Sequence, residues 1–399
     1  MSEPDLPYAR PHWDAEEAVA LMAALESGFW TNGSQVVRFE EELKRITGAP
    51  TVTMASGTSA IFALLHTLGR SVSGPKLLVS PTLNFAAGPA SARLLGWDVA
   101  LCDVSADDLT LCPASLGDLL ERVHGDYARI VVLPVHYAGH CADMAALSAQ
   151  CERYGADLVE DACHAVGGSY DGVLPVGSWP TSVAAYFSFH PTKPIAAGEG
   201  GAVSTADPHL LHELRLVRNH NMSAVDAHTD DHGPWPYSIT VPGMNLRLSE
   251  FNAAVGAVQA GRVEESRLER ARLVARYQDA LHGLPFVRAV PERQRAGSAH
   301  HLFPVVFDVE GLGMSKKDLL GTFFCWGIRC QVHYTPLHRL PAFAGIAPLL
   351  RTSFTAVDAV FPGLVSLPLW RGMTDGDCDR VIGVVTEIVH RSTRAMGRS

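Results

Sequence analysis

Lys193 is the only lysine between Lys76 and Lys316, in a chain with far more arginine than lysine. It ends a polar loop, Ser188-Phe-His-Pro-Thr-Lys193, that leaves the apolar run 183–189, which reads as a buried strand. The glycines at 198, 200 and 201 then permit a turn that other residues resist. Most lysines on loops are plain surface residues. A lysine held against a ligand carbonyl, with its pKa lowered by its surroundings, is instead a nucleophile able to form a Schiff base.

Three further stretches weigh on that choice. Val52-Thr-Met-Ala-Ser56-Gly57-Thr58-Ser59 reads as a strand, a small-residue turn and a helix start, where free N–H groups and hydroxyls suit a phosphate. Alone it is no more than a Ser/Thr helix cap. Leu158-Val-Glu160-Asp161-Ala-Cys-His164 puts two acids at the end of a buried strand. One of them could hold a heterocyclic nitrogen protonated, with His164 in reach of the same ligand. The plainer reading is a capping Asp and a satisfied histidine. Metal binding by Asp161, Cys163 and His164 lacks a second ligand cluster of the usual spacing, so no metal is expected. Ser80-Pro-Thr-Leu-Asn-Phe85 offers an aromatic face for a flat ring, although a lone Phe85 would be core filler by default. A phosphate cradle, an acid, an aromatic plate and an amine together describe a site for pyridoxal 5′-phosphate (PLP).

The elements that must position these groups follow from periodicity. Asp14 and Glu17 form a capping-box pattern ahead of a helix ending near Ser27-Gly28, and a second amphipathic helix spans about 36–47. Strands at 51–54, 77–79, 99–102, 130–135, 156–159 and 183–189 then alternate with helices at 59–68, 85–95, 115–124 and 143–154. That alternation predicts an α/β domain with a mostly parallel sheet, whose ligands bind beyond the carboxyl ends of the strands. An irregular loop over 218–237 precedes one long helix, about 248–282. Strands at 302–308 and 328–334, with helices starting at Ser315/Asp318 and Thr374/Asp377, predict a smaller α+β domain. The division expected is residues 1–250 for a large cofactor-binding domain and 251–399 for a C-terminal one.

The bulk composition agrees. The 399 residues are 47% hydrophobic and 19% charged, ordinary for a globular chain with a sizeable core. A net charge of −10 argues against a general nucleic-acid binder. The acidic N-terminus has no signal-peptide pattern, and no apolar run is long enough to span a bilayer, so no membrane partner is expected. Eight cysteines without a CxxC pair read as reduced thiols in a cytoplasmic protein.

Ten stretches in order carry a resemblance: Gly33…Phe39-Glu40, Ser56-Gly57-Thr58, Pro81…Phe85, Pro134-Val-His-Tyr-Ala-Gly139, Glu160-Asp161-Ala162…His164-Ala165…Gly167, Phe187-Ser-Phe-His-Pro-Thr-Lys193, Gly198-Glu-Gly-Gly201, Gly243-Met-Asn245-Leu-Arg247-Leu-Ser249, Gln331-Val-His-Tyr-Thr-Pro-Leu-His338 and Leu367-Pro368. From Gly28 to the final helix the chain resembles the DegT/DnrJ-type sugar aminotransferases, within the fold type I aspartate aminotransferase superfamily. The resemblance implies a large domain with a mixed, mostly parallel seven-stranded sheet and a smaller C-terminal α+β domain. It implies that Lys193 joins covalently to PLP, which alternates with pyridoxamine phosphate during amino transfer, that Asp161 pairs with the pyridine nitrogen, and that His164 sits near the phenolic oxygen. Phe85 would stack on the ring, and Ser56, Gly57, Thr58 and Ser188 would hold the phosphate. Asn245 would reach the phosphate of the neighbouring subunit, which makes the active unit a homodimer. His333, Tyr334, His338, Asn32 and His220 would lie toward the substrate. The implied reaction moves an amino group from L-glutamate or L-glutamine to a keto sugar, with a nucleotide-linked 4-keto-hexose ahead of a keto cyclitol, in secondary-metabolite or glycan biosynthesis. Related sugar dehydratases carry histidine at the position of Lys193. A PLP-dependent dehydratase, lyase or decarboxylase is the alternative on this fold, and a non-catalytic regulator a second. Pro194, Ala196, Ala197 and the segment Asp171 to Trp179, with Pro175, depart from the family pattern and bear on the acceptor more than on the cofactor.

Overall fold

The computed structural model describes residues 5–224, 237–293 and 296–396. His228 and His232, in the expected irregular loop, lie outside the described residues. Two helices, α1 (Ala15–Glu26) and α2 (Ser34–Thr47), precede the main sheet. The capping box at Asp14 forms as expected, with Glu17 returning its carboxylate to the Asp14 N–H at 2.9 Å. Helix α2 has no side-chain cap of its own. Glu250, buried and distant in sequence, accepts from the N–H groups of Gly33, Gln35 and Val36 at 2.9, 2.8 and 3.1 Å and supplies the anion that a helix start favours.

Fourteen strands follow one another among the described residues: β1 (Thr51–Met54), β2 (Lys76–Pro81), β3 (Asp98–Cys102), β4 (Arg129–Val132), β5 (Asp157–Asp161), β6 (Ser169–Tyr170), β7 (Leu174–Pro175), β8 (Ser182–Ser188), β9 (Gly201–Ser204), β10 (Met222–Ala224), β11 (Tyr237–Ile239), β12 (Val287–Ala289), β13 (Phe303–Phe307) and β14 (Leu364–Leu367). Seven form one sheet in the order β1-β9-β8-β5-β4-β2-β3. All neighbours pair in parallel except β9, which is antiparallel to both β1 and β8. The mixed, mostly parallel seven-stranded sheet expected from the resemblance is therefore present. Helices α3 (Gly57–Arg70), α4 (Ala87–Leu94), α5 (Pro113–Val123), α6 (Met144–Tyr154) and α7 (Pro208–Arg218) cover its two faces. Both faces of the central strands are apolar and buried, as crossover helices require.

Three expected elements differ. Strand β4 stops at Val132 rather than 135, because Pro134 has no N–H to continue a ladder; Val135 keeps only an isolated bridge to Asp161. The single helix expected over 248–282 is two, α8 (Glu250–Gly261) and α9 (Val263–Leu281), broken at Arg262. Gly261 weakens the helix there, and the Arg262 guanidinium turns to Asp14 at 2.7 Å and Glu16 at 2.6 Å. The segment 328–334 is not a strand: only Ile328 and Gln331 make single bridges, and residues 331–334 turn into a cavity instead. The small sheet is completed by β12 and β14 on either side of β13. Helix α10 (Lys316–Cys325) has the capping box expected from Ser315 and Asp318, and Thr374 caps the C-terminal helix (Asp375–Met396) through Asp377. Helix α8 packs Ala253, Ala257 and Ala260 into the core of the large sheet, whereas α9 gives Leu273, Val274 and Tyr277 to a second core with β13 and the C-terminal helix. No helix among the described residues is long and apolar enough to cross a membrane.

Candidate active site

Because β1, β2, β5 and β8 run in the same direction, the residues after each of them meet at one edge of the sheet. A cavity of about 540 Å³ opens there. Ser56, Gly57 and Thr58 border it after β1, Asn84 and Phe85 after β2, Asp161 at the end of β5, and Ser188 and Lys193 at and beyond the end of β8. His164, His333 and Tyr334 complete the set that the sequence brings together.

The end of β1 is a helix start with two donors to spare. Ser56 caps α3 by accepting the Ser59 N–H at 3.0 Å, and its carbonyl takes the Ala60 N–H. The N–H groups of Gly57 and Thr58 are left without intrahelical partners, at the positive end of a 14-residue helix. The backbone is tightly packed here. A Cβ at Gly57 would lie 2.8 Å from Ser188 Cβ, and one at Gly201 only 2.2 Å from the Ser56 carbonyl oxygen. The glycines are needed because β9 must pass directly beneath the turn.

Adjacent residues on β5 point to opposite faces. Glu160 is fully buried away from the cavity, where its carboxylate accepts from His136 Nε2 at 2.7 Å and from the Tyr170 hydroxyl. Asp161 is the acid that lines the cavity. Its Oδ1 accepts the Cys163 N–H at 3.2 Å, and its Oδ2 accepts from the Tyr186 hydroxyl. An acidic group this deep, facing an open cavity, is placed to hold a cation.

His164 Nδ1 accepts the Ala138 N–H at 3.3 Å, which leaves the ring proton on Nε2, 2.8 Å from the Tyr334 hydroxyl. Burial, then Lys193 and His333, hold its pKa well below the ordinary histidine range, so the ring is neutral. His333 is pushed down to about 3, again mainly by burial, and its Nδ1 lies 2.9 Å from Ser366 Oγ. Phe85 is 59% exposed at the cavity wall, its ring 5.7 Å from that of Tyr334, so one face remains open to a flat ligand. Burial lowers the pKa of Lys193 below the ordinary lysine value, partly offset by Cys163 and Asp161.

Four residues named from the sequence are not in the cavity wall. His338 hydrogen-bonds Thr82 Oγ1 at 2.7 Å and stacks on Phe354 at 4.2 Å, so it braces the loop after β2. Asn32 and His220 stand at positive φ in the loops before α2 and after α7, and Asn245 is exposed on a bridge to Asn219. Pro194 and Ala196 border a separate crevice of about 30 Å³ on the far side of Lys193, and Trp179 packs on Tyr170. These departures thus stand apart from the large cavity. Tyr8, Tyr186, Glu199 and His301 do line it and had no role assigned from the sequence, although Glu199 stands in one of the ten stretches. Tyr186 left a signal, a hydroxyl inside an apolar strand. Tyr8 and His301 left none, since only the tertiary fold brings them in.

A mixed sheet with these groups at its carboxyl edge defines a fold type I PLP-dependent enzyme. The chain matches the DegT/DnrJ/EryC1/StrS aminotransferase family over residues 11–386, and it belongs to that family of PLP-dependent aminotransferases. Solved structures of similar shape include DesI, determined in the presence of its TDP-sugar product, which is 25% identical with a TM-score of 0.84 over 100% of this chain and 96% of that one. PseC of Helicobacter pylori, an aminotransferase involved in the biosynthesis of pseudoaminic acid, is 22% identical with a TM-score of 0.88 over 97% of this chain and 100% of its own. Spr1654 of Streptococcus pneumoniae in its PLP form is 22% identical with a TM-score of 0.85 over 97% of this chain and 99% of its own. The cavity suits this cofactor: a helix start with free donors for the phosphate, a buried carboxylate for a ring nitrogen and a desolvated amine for the aldehyde.

Proposed function

We propose that this protein transfers an amino group from L-glutamate or L-glutamine to a keto sugar, with a nucleotide-linked 4-keto-hexose as the acceptor class. The observation that carries this reading is that Lys193 and Asp161, 32 residues apart, border one cavity large enough for a cofactor and a sugar together. That the product of DesI is a TDP-sugar supports the nucleotide-linked acceptor. Bound PLP supplies an aldehyde that condenses with amines and a ring that draws electrons from the carbon bearing the amine. In this reading Gly57, Thr58, Ser56 and Ser188 bind the phosphate, Asp161 faces the ring nitrogen, and Phe85 covers the ring. His164, kept neutral, donates through Tyr334 toward the substrate side. Lys193 carries the proton to and from the substrate carbon. Its desolvation keeps more of the amine unprotonated at neutral pH. Uptake of PLP by the apoprotein should therefore rise with pH through a midpoint below 10.5, the ordinary lysine value; a midpoint at or above it would contradict the burial argument. The test of the reaction is incubation of holoenzyme with a keto sugar nucleotide, with and without glutamate. Donor consumed in step with amino sugar supports transamination, and sugar loss without donor favours dehydration.

The proposal extends to a cytoplasmic homodimer, with 1–250 as the cofactor-binding domain and 251–399 as the smaller one. Asn245 is exposed and outside its own subunit's cavity, as a residue serving a partner would be. Asn245→Ala should weaken PLP binding about tenfold with little change in the fold, consistent with loss of one hydrogen bond to a charged oxygen. An active monomer in sedimentation would sink this assignment.

A further inference from the structure

Tyr186 sits in the middle of β8 and is only 2% exposed, in register with Asp161 across the β5–β8 pair. Its neighbours Ala184, Ala185 and Phe187 are apolar, so packing alone would be met by a phenylalanine. The hydroxyl is instead spent on Asp161 Oδ2, while Oδ1 is taken by the Cys163 N–H at 3.2 Å. Both residues border the cavity. The carboxylate, 4% exposed, is thus gripped on each oxygen by the chain.

We propose that Tyr186 is a positioning residue for amino transfer: its hydroxyl fixes the Asp161 carboxylate in one orientation, aimed into the cavity, so that the pocket retains a protonated ring nitrogen. This rests on the assignment of Asp161 to the cofactor's ring nitrogen. The physical reason is that a carboxylate held at both oxygens keeps its charge aimed at one point, where it favours the protonated form of a basic nitrogen facing it. Remove the hydroxyl and the carboxylate is free to turn from that point, and the nitrogen gives up its proton more readily. The other titratable groups near Asp161 are Lys193, Cys163 and Tyr334. The cysteine and both tyrosines are pushed well above their ordinary values, first by burial, so they remain neutral donors throughout the working pH range.

The test loads wild type, Tyr186→Phe and Asp161→Asn with ¹⁵N-labelled PLP and follows the ring nitrogen by NMR against pH. Tyr186→Phe keeps the packed ring and removes one oxygen; circular dichroism checks that each variant is folded. The wild type should hold the nitrogen protonated. Tyr186→Phe should lower the protonated-to-neutral ratio about tenfold, the scale of one hydrogen bond to a charged group. Asp161→Asn should lose the proton altogether. If Tyr186→Phe matches wild type while Asp161→Asn loses the proton, Asp161 acts without help and the proposal is overturned. If Asp161→Asn itself behaves as wild type, the assignment of Asp161 is what fails.

Discussion

Lys193→Ala protein should fold, bind PLP without a covalent link, and turn over roughly 10⁴-fold more slowly than wild type. Lys193 borders the large cavity and the crevice behind it, and the loop around it is held by backbone contacts that the substitution spares, such as Lys193 N–H to the His190 carbonyl at 2.8 Å. Loss of the side chain therefore removes chemistry rather than structure. The near-visible absorbance of the chain-linked cofactor should vanish, and the thermal midpoint of the apoprotein should hold steady or rise, since a buried amine without a carboxylate in hydrogen-bond contact is no asset to the fold. Absorbance spectra and single-turnover rates with glutamate check both statements. Turnover within tenfold of wild type would mean that another group moves the proton.

Asp161→Ala should weaken PLP binding by about two orders of magnitude and slow the amino-transfer half-reaction roughly 10³-fold. Two losses combine. On the proposed assignment the ring nitrogen loses its charge partner, a carboxylate only 4% exposed, and a buried partner has the greatest effect. The Tyr186 hydroxyl also loses its acceptor and is left buried and unpaired, which costs about 1–3 kcal/mol of fold stability. Equilibrium dialysis gives the affinity, stopped-flow the half-reaction, and thermal unfolding of the apoprotein isolates the structural part. Unchanged affinity and rate would remove Asp161 from the site.

Much of the fold is legible in the residues. Alternating apolar strands and helices gave the parallel sheet, and three capping patterns, at Asp14, Ser315 and Thr374, marked helix starts that the structure contains. What escaped was set by long-range contacts. The break at Arg262 depends on carboxylates near residue 14, too distant to appear in local periodicity. Strand β9 looked like a glycine turn because its Gly201 is chosen for clearance under Ser56 rather than for strand propensity. Segment 328–334 has strand-like composition, yet its residues are committed to the cavity and to Ser366.

The site divides in the same way. Groups on strand ends, Ser56 to Thr58, Asp161, Ser188 and Lys193, could be placed from the sheet alone, because parallel strands deliver their carboxyl ends to one edge. The strand alone did not separate Asp161 from Glu160; the resemblance singled out Asp161, and of the two only Asp161 lines the cavity. His338 has the residue type of a ligand group, but in the fold it is consumed by Thr82 and Phe354.

The covalent role of Lys193 is open to one direct measurement. Holoenzyme is reduced with borohydride, digested, and the phosphopyridoxyl group located by mass spectrometry. The chain has five lysines, at 44, 76, 193, 316 and 317, and of these only Lys193 borders the cavity. The label is expected on Lys193 alone, at one per chain. A label on any of the other four, or none on any lysine, would contradict the assignment from which the proposed chemistry is built.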